Sequence, residues 1–385
     1  MTKFKPISGE KFTKIIDFLT ENNIDFLMIN NSEETRSPNM QYLTGHPQDA
    51  TAFVTQKGET YLLPWDISLA NKYAVVDEIF DVQNFDKSYM KFLQYFLSEK
   101  IKKNKATVGV PSSYSFGSYL MFKNHAPQLE FFTEPQKVSN LLGDLRTTKS
   151  PQELDFLREA ANIGNKTIPE IEKFALNATD ETENDLSILV RKKMIDMGAI
   201  DVAFDALVGN TNRSHNIHCY PLASTEKFAL PGLALIDYGA NYEGYRSDIT
   251  VPISFGELND KQKEIRELTR KAYDAAIAIL EVGVPLWKVH EAAVNEIEKA
   301  GHNMPHSLGH GIGLATHDAP YVSAKPKDPM SLQYWKEVKA ENGMVFTIEP
   351  GVYVEGEGGQ RLENDVIIWN DKVEVITKSR FITVP

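Results

Sequence analysis

The stretch LIDYGANYEGYRSDITVPISF, residues 235–255, places two aspartates inside runs of apolar, β-prone residues. Residues 241–244 supply turn formers between the two runs, so the pattern predicts a β-hairpin. A turn centred there sets Asp237 opposite Asp248. Directly opposed residues lie about 4.5–5.5 Å apart, and like charges at that distance destabilise a sheet. Some compensating positive charge is therefore expected between these two carboxylates.

A later stretch, MVFTIEPGVYVEGEGGQRLENDVIIW, repeats the pattern. Two apolar strands flank a glycine-rich connection centred near Gly356, and that register sets Glu349 opposite Glu363. Ionised carboxylates without compensation in a protein core cost several kcal/mol each. The sequence around both hairpins lacks enough basic residues to neutralise four carboxylates, which favours bound cations.

Glycines surround one histidine of the segment HNMPHSLGHGIGLATHDAP. The spacing His306-x3-His310 would suit a metal-binding helix, but the glycines beside His310 disfavour helix there. Gly–His–Gly instead predicts close backbone approach around one functional imidazole. Four carboxylates and this imidazole suit two divalent ions, and the excess of oxygen ligands favours Mn²⁺ or Co²⁺ over Zn²⁺ or Fe²⁺.

Length and patterning predict two domains for a chain of 385 residues. Alternating helix and strand patterns predict an α/β domain over residues 1–145. A new helix is expected after the polar joint, because Ser150 is a good N-cap, Pro151 occupies the first helical position and Glu153 completes a capping box. Helices and strands then share residues 150–385, which predicts an α+β domain.

Composition excludes several classes of protein. The net charge of −12 argues against nucleic acid or an anionic membrane as the main partner. The single cysteine, Cys219, excludes an internal disulfide framework and suits a reducing compartment. The first residues contain no apolar core of signal-peptide length, and no apolar run reaches membrane-spanning length. A cytoplasmic protein is the expectation.

The ordered set of four carboxylates and one histidine resembles the metal ligands of the pita-bread metallopeptidases. The phrases IDYGANYEGYRSDIT, SLGHGIGLATHDAP, GMVFTIEPGVY and RLENDV are similar to that family's signature segments. The joint LRTTKSPQELDFLREA and a preceding domain with NMQYLTGH resemble the branch of Xaa-Pro dipeptidases (prolidases) and aminopeptidase P. The resemblance implies a creatinase/prolidase-like N-terminal domain before a pita-bread catalytic domain. It implies five metal ligands for two ions: Asp237, Asp248, His310, Glu349 and Glu363.

The resemblance also implies a reaction and roles for further residues. A hydroxide bridging two metals would attack the carbonyl of an Xaa-Pro bond in a dipeptide or peptide, with Glu349 as the general base. His218 and His317 would contact the substrate or stabilise the oxyanion. Arg361 is expected to orient Glu363, and His306 to support the ligands without binding metal. The resemblance further implies a homodimer.

Two departures from the family's pattern bear on the substrate. HDAP stands where HExP is usual, and residues 321–342 contain no arginine, although dipeptidases of this family tend to place one there for the product's carboxylate. Lysines of that segment are weaker substitutes, since they lack a bidentate fork. The sequence therefore predicts some tolerance of longer peptides.

Two other classes of function share the predicted fold. One is a creatinase-like hydrolase or a metal-dependent lyase acting on a small non-peptide substrate. The other is a catalytically silent module that binds peptides or proteins. Creatinase-type members and silent modules are expected to lose metal ligands, whereas all five candidate ligands are present here. Fold alone does not choose among these functions.

Overall fold

The chain divides into two compact units, Met1–Arg146 and Thr147–Pro385. The computed structural model describes residue 7, residues 9–333 and residues 335–385. Among these residues, no helix combines the length and the apolar character needed to cross a membrane.

The N-terminal unit is built on one mixed six-stranded sheet with the strand order β4-β3-β2-β1-β5-β6. Its strands are β1 (Phe26–Asn31), β2 (Ala50–Thr55), β3 (Thr60–Pro64), β4 (Glu78–Ile79), β5 (Ala106–Gly109) and β6 (Leu129–Phe131). Its helices are α1 (Glu10–Glu21), α2 (Pro38–Thr44), α3 (Ile67–Tyr73), α4 (Tyr89–Tyr95), α5 (Phe116–His125) and α6 (Pro135–Thr147), with a 3₁₀ turn at Val82–Phe85 and a π-helical turn at Phe96–Ile101. Aromatic rings such as Phe53, Phe92 and Phe96 fill its core. The predicted α/β character is confirmed.

The C-terminal unit combines long helices with several small sheets. Its helices are α7 (Pro151–Asn177), α8 (Glu183–Asp196), α9 (Asp260–Ile279), α10 (Leu286–Glu298) and α11 (Pro329–Leu332). Its first strands are β7 (Asp201–Val202), β8 (Leu207–Gly209), β9 (Gly232–Tyr238), β10 (Ala240–Tyr242), β11 (Tyr245–Arg246) and β12 (Ile249–Phe255). The remaining strands are β13 (Gly309–Gly311), β14 (Asp318–Val322), β15 (Val345–Ile348), β16 (Gly351–Val354), β17 (Gly358–Arg361), β18 (Asn364–Trp369), β19 (Lys372–Val375) and β20 (Ile382–Val384).

The start of α7 follows from its first residues. The Ser150 side chain accepts from the backbone N–H of Glu153, and the Glu153 side chain accepts from the backbone N–H of Ser150. Pro151 occupies the first turn, where its missing N–H is not needed. The predicted capping box is therefore confirmed.

Two hydrophobic cores lie on either side of the carboxylate-bearing strands. Helices α7 and α8 pack on β9 and β12 through residues such as Ile171, Leu186 and Ile236. Helices α9 and α10 pack on β15 and β18 through residues such as Ala272 and Phe346. The strands between these cores hold their side chains on a rigid base, as a site of fixed geometry requires.

The register of the first hairpin differs from the prediction by two residues. Asp237 pairs with Thr250 across β9 and β12, and Asp248 lies in the break between β11 and β12. The turn is Glu243–Gly244, with φ values of 53° and 89°, as a two-residue type I′ turn requires. The sequence placed the turn too early because Asn241 resembles a turn residue, whereas it pairs with Arg246. The prediction that Asp237 lies directly opposite Asp248 was therefore wrong.

The register of the second hairpin agrees with the prediction. Ile348 pairs with Asn364 across β15 and β18, and Gly351 pairs with Arg361 across β16 and β17. Glu349 and Glu363 lie in the matching breaks between these two ladders. A carboxylate in such a break can turn away from the ladder, because its strand neighbours no longer constrain its backbone direction.

Candidate metal centre

Asp248 is the most enclosed carboxylate of the first hairpin, with 3% of the residue exposed. Its Oδ2 lies 3.7 Å from Nε2 of His310. Its backbone N–H donates to Oδ2 of Asp365 at 3.0 Å, which fixes the backbone where the hairpin breaks. Burial raises the pKa of Asp248 well above its usual value, and the charge of Glu363 acts in the same direction. An ion of opposite sign is needed to keep this group ionised.

His310 is held between two glycines on β13. A side chain at Gly309 would place its Cβ 1.9 Å from the Thr347 carbonyl oxygen, and one at Gly311 would place it 2.1 Å from the Ala319 carbonyl oxygen. The predicted close backbone approach is therefore confirmed. Nδ1 of His310 lies 3.1 Å from the Gly311 carbonyl oxygen, which directs Nε2 towards Asp248. Burial lowers the pKa of His310 to about 4, so the ring is neutral and able to bind a metal.

Glu349 and Glu363 reach the same place from the second hairpin. Oε1 of Glu349 lies 3.4 Å from Nε2 of His310 and accepts from the Thr347 hydroxyl at 3.2 Å. Oε2 of Glu363 accepts from the Thr250 hydroxyl at 2.6 Å. Burial raises the pKa of Glu349 to about 8 and that of Glu363 well above its usual value.

The donor set fits divalent cations. Ligand atoms of Asp248, His310 and Glu363 all lie within 4.8 Å of one another. Oδ1 of Asp248 and Oδ1 of Asp237 are buried without a hydrogen-bond partner. Buried carboxylate oxygens without partners are costly, and bound cations would satisfy them. The clustering of four carboxylates around one neutral imidazole matches a two-ion site.

Arg361 is the main cation of this cluster, and its direct partner differs from the prediction. Nη2 of Arg361 donates to Oδ2 of Asp237 at 2.6 Å, whereas the closest approach of the guanidinium to Glu349 is 4.0 Å. Nε donates to the Thr250 hydroxyl at 2.9 Å, and that hydroxyl donates in turn to Glu363. Arg361 therefore orients Asp237 directly and reaches Glu363 only through Thr250, because its side chain crosses to the β9–β12 pair.

His306 lies one step further from the candidate ligands. Its Nε2 lies 3.0 Å from the Tyr353 hydroxyl, which accepts from Nη1 of Arg361 at 3.1 Å. Burial lowers the pKa of His306 to about 4, and the Arg361 charge acts in the same direction. The path from His306 to Asp237 thus runs through Tyr353 and Arg361.

His218 and His317 lie at the mouth of the site. Both are exposed, and both line a cavity of about 580 Å³ with the five candidate ligands. The ring centroid of His317 lies 4.3 Å from that of His310. His218 belongs to the connection between β8 and β9. The structure therefore brings both histidines to the cavity, where a substrate would meet them.

Residues 321–342 contribute little to this cavity. Among the described residues of the segment, Tyr321 lines the wall and no lysine does. Lys325 lies over the Trp335 ring, and Lys339 pairs with Glu337. The suggestion that a lysine of this segment replaces the missing arginine is therefore not supported by its position.

Sequence reasoning missed four residues that support the site. Thr250 and Thr347 hold carboxylates by their hydroxyls, Asp365 holds the Asp248 backbone, and His290 accepts from the Leu308 backbone N–H at 3.1 Å through Nδ1. Thr250 and Asp365 each lie two residues beyond a candidate ligand, so strand alternation was an available signal. His290 is partly buried on α10.

Comparisons with known proteins agree with this geometry. The model of metallopeptidase family M24 matches residues 155–370, and the model of the creatinase/prolidase N-terminal domain matches residues 11–147. An Xaa-Pro dipeptidase of Pyrococcus horikoshii is 32% identical over 97% of this chain and 98% of its own length. The crystal structure of the prolidase from Pyrococcus horikoshii superposes with a TM-score of 0.81 at 29% identity, covering 97% of this chain and 99% of that one.

A second similar structure is named as an aminopeptidase and not as a dipeptidase. The X-Pro aminopeptidase from Thermotoga maritima has a TM-score of 0.79 and 25% identity, covering 97% of this chain and 99% of that chain. The likeness therefore extends to both kinds of Xaa-Pro peptidase. On the family match and the relatives together, the chain belongs to metallopeptidase family M24, in the prolidase and aminopeptidase P branch with the pita-bread fold.

Proposed function

We propose that the protein is a metal-dependent hydrolase of Xaa-Pro bonds in dipeptides or at peptide N-termini. The observation that carries this proposal is the convergence of Asp248, His310 and Glu363 within 4.8 Å in one buried cluster. Membership of a metallopeptidase family supports it. Relatives that match nearly the whole chain are named as Xaa-Pro dipeptidases, so a non-peptide substrate is not favoured.

The proposed ligand set holds two divalent ions, with Mn²⁺ or Co²⁺ favoured by the oxygen-rich donors. Its members are Asp237, Asp248, His310, Glu349 and Glu363. The ions would polarise the scissile carbonyl and lower the pKa of a water molecule at the site. Arg361 holds Asp237 in place by its 2.6 Å contact, and Thr250 holds Glu363.

Proton transfer is assigned to Glu349. Its carboxylate lies 3.4 Å from Nε2 of His310 and lines the cavity that a substrate would enter, within reach of a water molecule at the site. The Thr347 hydroxyl orients the carboxylate by donating to Oε1. Glu349 would accept a proton from the attacking water and return it to the leaving proline nitrogen.

His218 and His317 are assigned to the substrate. Both line the cavity outside the proposed ligand set. An N–H donor aimed at the developing oxyanion stabilises the tetrahedral intermediate.

A cytoplasmic homodimer is also part of the proposal. The family resemblance supports the dimer, and the free, buried Cys219 supports a reducing compartment.

The experiment compares three substrates with Mn²⁺-loaded protein. We expect hydrolysis of an Xaa-Pro dipeptide or of the matching Xaa-Pro-Xaa tripeptide, and at least tenfold lower kcat/KM for an Xaa-Ala dipeptide. Chelation should abolish the activity, and added Mn²⁺ or Co²⁺ should restore it. Equal rates on the proline and alanine substrates, or activity that survives chelation, would contradict the proposal.

A further inference from the structure

The alternating directions of the side chains along residues 245–248 bring an arginine to the same cavity as the candidate ligands. Tyr245 and Ser247 point into the core, where the Tyr245 hydroxyl donates to Glu153 at 3.0 Å and the Ser247 hydroxyl oxygen accepts from the Ala240 N–H at 3.1 Å. The alternate residues, Arg246 and Asp248, both line the cavity. Tyr245 and Ser247 thus turn inward, while Arg246 and Asp248 turn towards the cavity.

The Arg246 guanidinium is positioned by the residue before His317. Nη1 of Arg246 donates to the Thr316 hydroxyl at 2.6 Å, and that hydroxyl donates to the Ala203 carbonyl at 3.3 Å. The Arg246 backbone N–H donates to the Gly313 carbonyl at 3.0 Å. Partial desolvation of the ring against the cavity wall lowers the pKa of His317, and the nearby Arg246 charge acts in the same direction. The guanidinium is thus oriented beside a histidine assigned to the substrate.

Arg246 and Arg361 are the only lysine or arginine residues among the described residues that line this cavity. The Arg361 guanidinium is buried and donates to Asp237, Thr250 and Tyr353, so it belongs to the cluster itself. Arg246 is partly exposed on the wall. It therefore supplies positive charge where a ligand can reach it.

We propose that Arg246 binds the C-terminal carboxylate of an Xaa-Pro dipeptide and so selects dipeptides over longer peptides. This inference rests on the proposed Xaa-Pro hydrolysis. A guanidinium pairs with a carboxylate through two parallel hydrogen bonds, whereas an amide or a further peptide bond offers it no negative charge.

The small size of the substrate suits this assignment. The scissile carbonyl and the free carboxylate of an Xaa-Pro dipeptide belong to consecutive residues, which are about 3.8 Å apart between Cα atoms. A carbonyl beside Asp248 therefore leaves the carboxylate close to it, in the cavity that Arg246 also lines. The assignment replaces the expectation of peptide tolerance that followed from the missing arginine in residues 321–342.

The test measures kcat/KM for an Xaa-Pro dipeptide and for its C-terminal amide, with the wild type and with Arg246→Met and Arg246→Lys. We expect the wild type to prefer the free acid, and Arg246→Met to lower the acid-to-amide ratio by about 10- to 100-fold, as for loss of a hydrogen bond between charged groups. Arg246→Lys should lower it less, because it keeps the charge without the fork. Arg191→Met, at an exposed position of α8, is the matched control and should keep the wild-type ratio.

The outcomes separate this inference from the proposed function. An unchanged ratio in Arg246→Met, or equal losses on acid and amide with wild-type metal content, would overturn the role of Arg246 while leaving Xaa-Pro hydrolysis intact. A wild type without preference for the acid would overturn it as well. A metal-loaded wild type that cleaves neither the acid, the amide nor the tripeptide would overturn the proposed function itself.

Discussion

Individual residues of the candidate centre were predictable where a carboxylate interrupts an apolar strand. Asp237, Asp248, Glu349 and Glu363 could be found this way because burial of a charge inside a strand has few explanations other than a ligand. Arg246 was not found, since an arginine near the end of a strand is ordinary on a surface. Its significance depends on Thr316, which is distant in sequence and adjacent only in the folded chain.

At the residue scale, His218 is expected to act on the substrate without holding metal. His218→Ala should retain the bound ions and lower kcat by about 10²–10³, as for removal of an oxyanion donor. Metal analysis and steady-state kinetics on the same sample separate the two effects.

His215→Ala is the matched control for this variant. His215 belongs to the same connection and lies 3.3 Å from the Asn216 side chain through Nε2, outside the described lining of the cavity. Its kcat should stay within about threefold of the wild type, since substitutions away from functional contacts have small effects. A His218→Ala enzyme as fast as His215→Ala would remove His218 from the mechanism.

Among elements, the two hairpins show what sequence can and cannot specify. The centre of the second hairpin was correct because the glycines around Gly356 leave no other turn. The centre of the first was misplaced by one residue, which shifts the strand pairing by two, because Glu243 adopts a positive φ that its residue type does not favour. The displacement did not change which residues were proposed as ligands, since a shift of two keeps each side chain on its face.

The connection that carries His218 depends on one buried carboxylate at the start of α8. Glu183 accepts from the Asn210 N–H at 2.8 Å and from the Ser224 N–H at 2.9 Å, and it pairs with Arg213 at 3.2 Å. Residues 210 and 224 lie on either side of His218 along the chain. Glu183 therefore holds both ends of this connection.

Glu183→Gln should remove that anchor. Breaking a buried ion pair costs about 3–5 kcal/mol, so we expect the melting temperature of the C-terminal unit to fall by about 6–20 °C. A lower kcat with retained metal is expected as well, because His218 loses its fixed position. Glu181→Gln, an exposed glutamate on the same turn, is the control and should match the wild type. Equal melting temperatures for the two variants would contradict the anchoring role.

For the whole molecule, the order of an α/β unit before an α+β unit was predictable from helix and strand periodicity. The two large hydrophobic cores described in the C-terminal unit follow from that periodicity, whereas the enclosure of the carboxylates between them follows from long-range pairing such as β12 with β20. The stability of the C-terminal unit should therefore depend on the positive charges that neutralise the buried carboxylates.

Metal removal should destabilise the protein more at pH 8 than at pH 6. Burial raises the pKa of Glu349 to about 8 in the metal-free fold, above the value of about 4.3 for an unfolded chain. A raised carboxyl pKa contributes stability below about pH 4.3 that is lost as the pH rises to about 8. Bound cations reverse this loss by pairing with the ionised groups.

The measurement is the difference in melting temperature between metal-loaded and chelated protein at the two pH values. We expect the difference to be larger at pH 8, and the chelated Glu349→Gln variant to lose part of the pH dependence seen in the chelated wild type. A difference that is constant or smaller at pH 8 would mean that the cluster does not carry the expected charge.

The most direct test of the two-ion centre is the metal content of the chain. Elemental analysis of Mn²⁺-loaded protein after removal of free metal should give about two ions per chain in the wild type, since five ligands can complete two sites. Asp248→Asn should hold fewer than one, because Asp248 lies beside both His310 and Glu363. Asp205→Asn, an exposed acidic residue on the same cavity wall, should keep about two. A wild type without bound metal, or an Asp248→Asn variant that still holds two ions, would contradict the account.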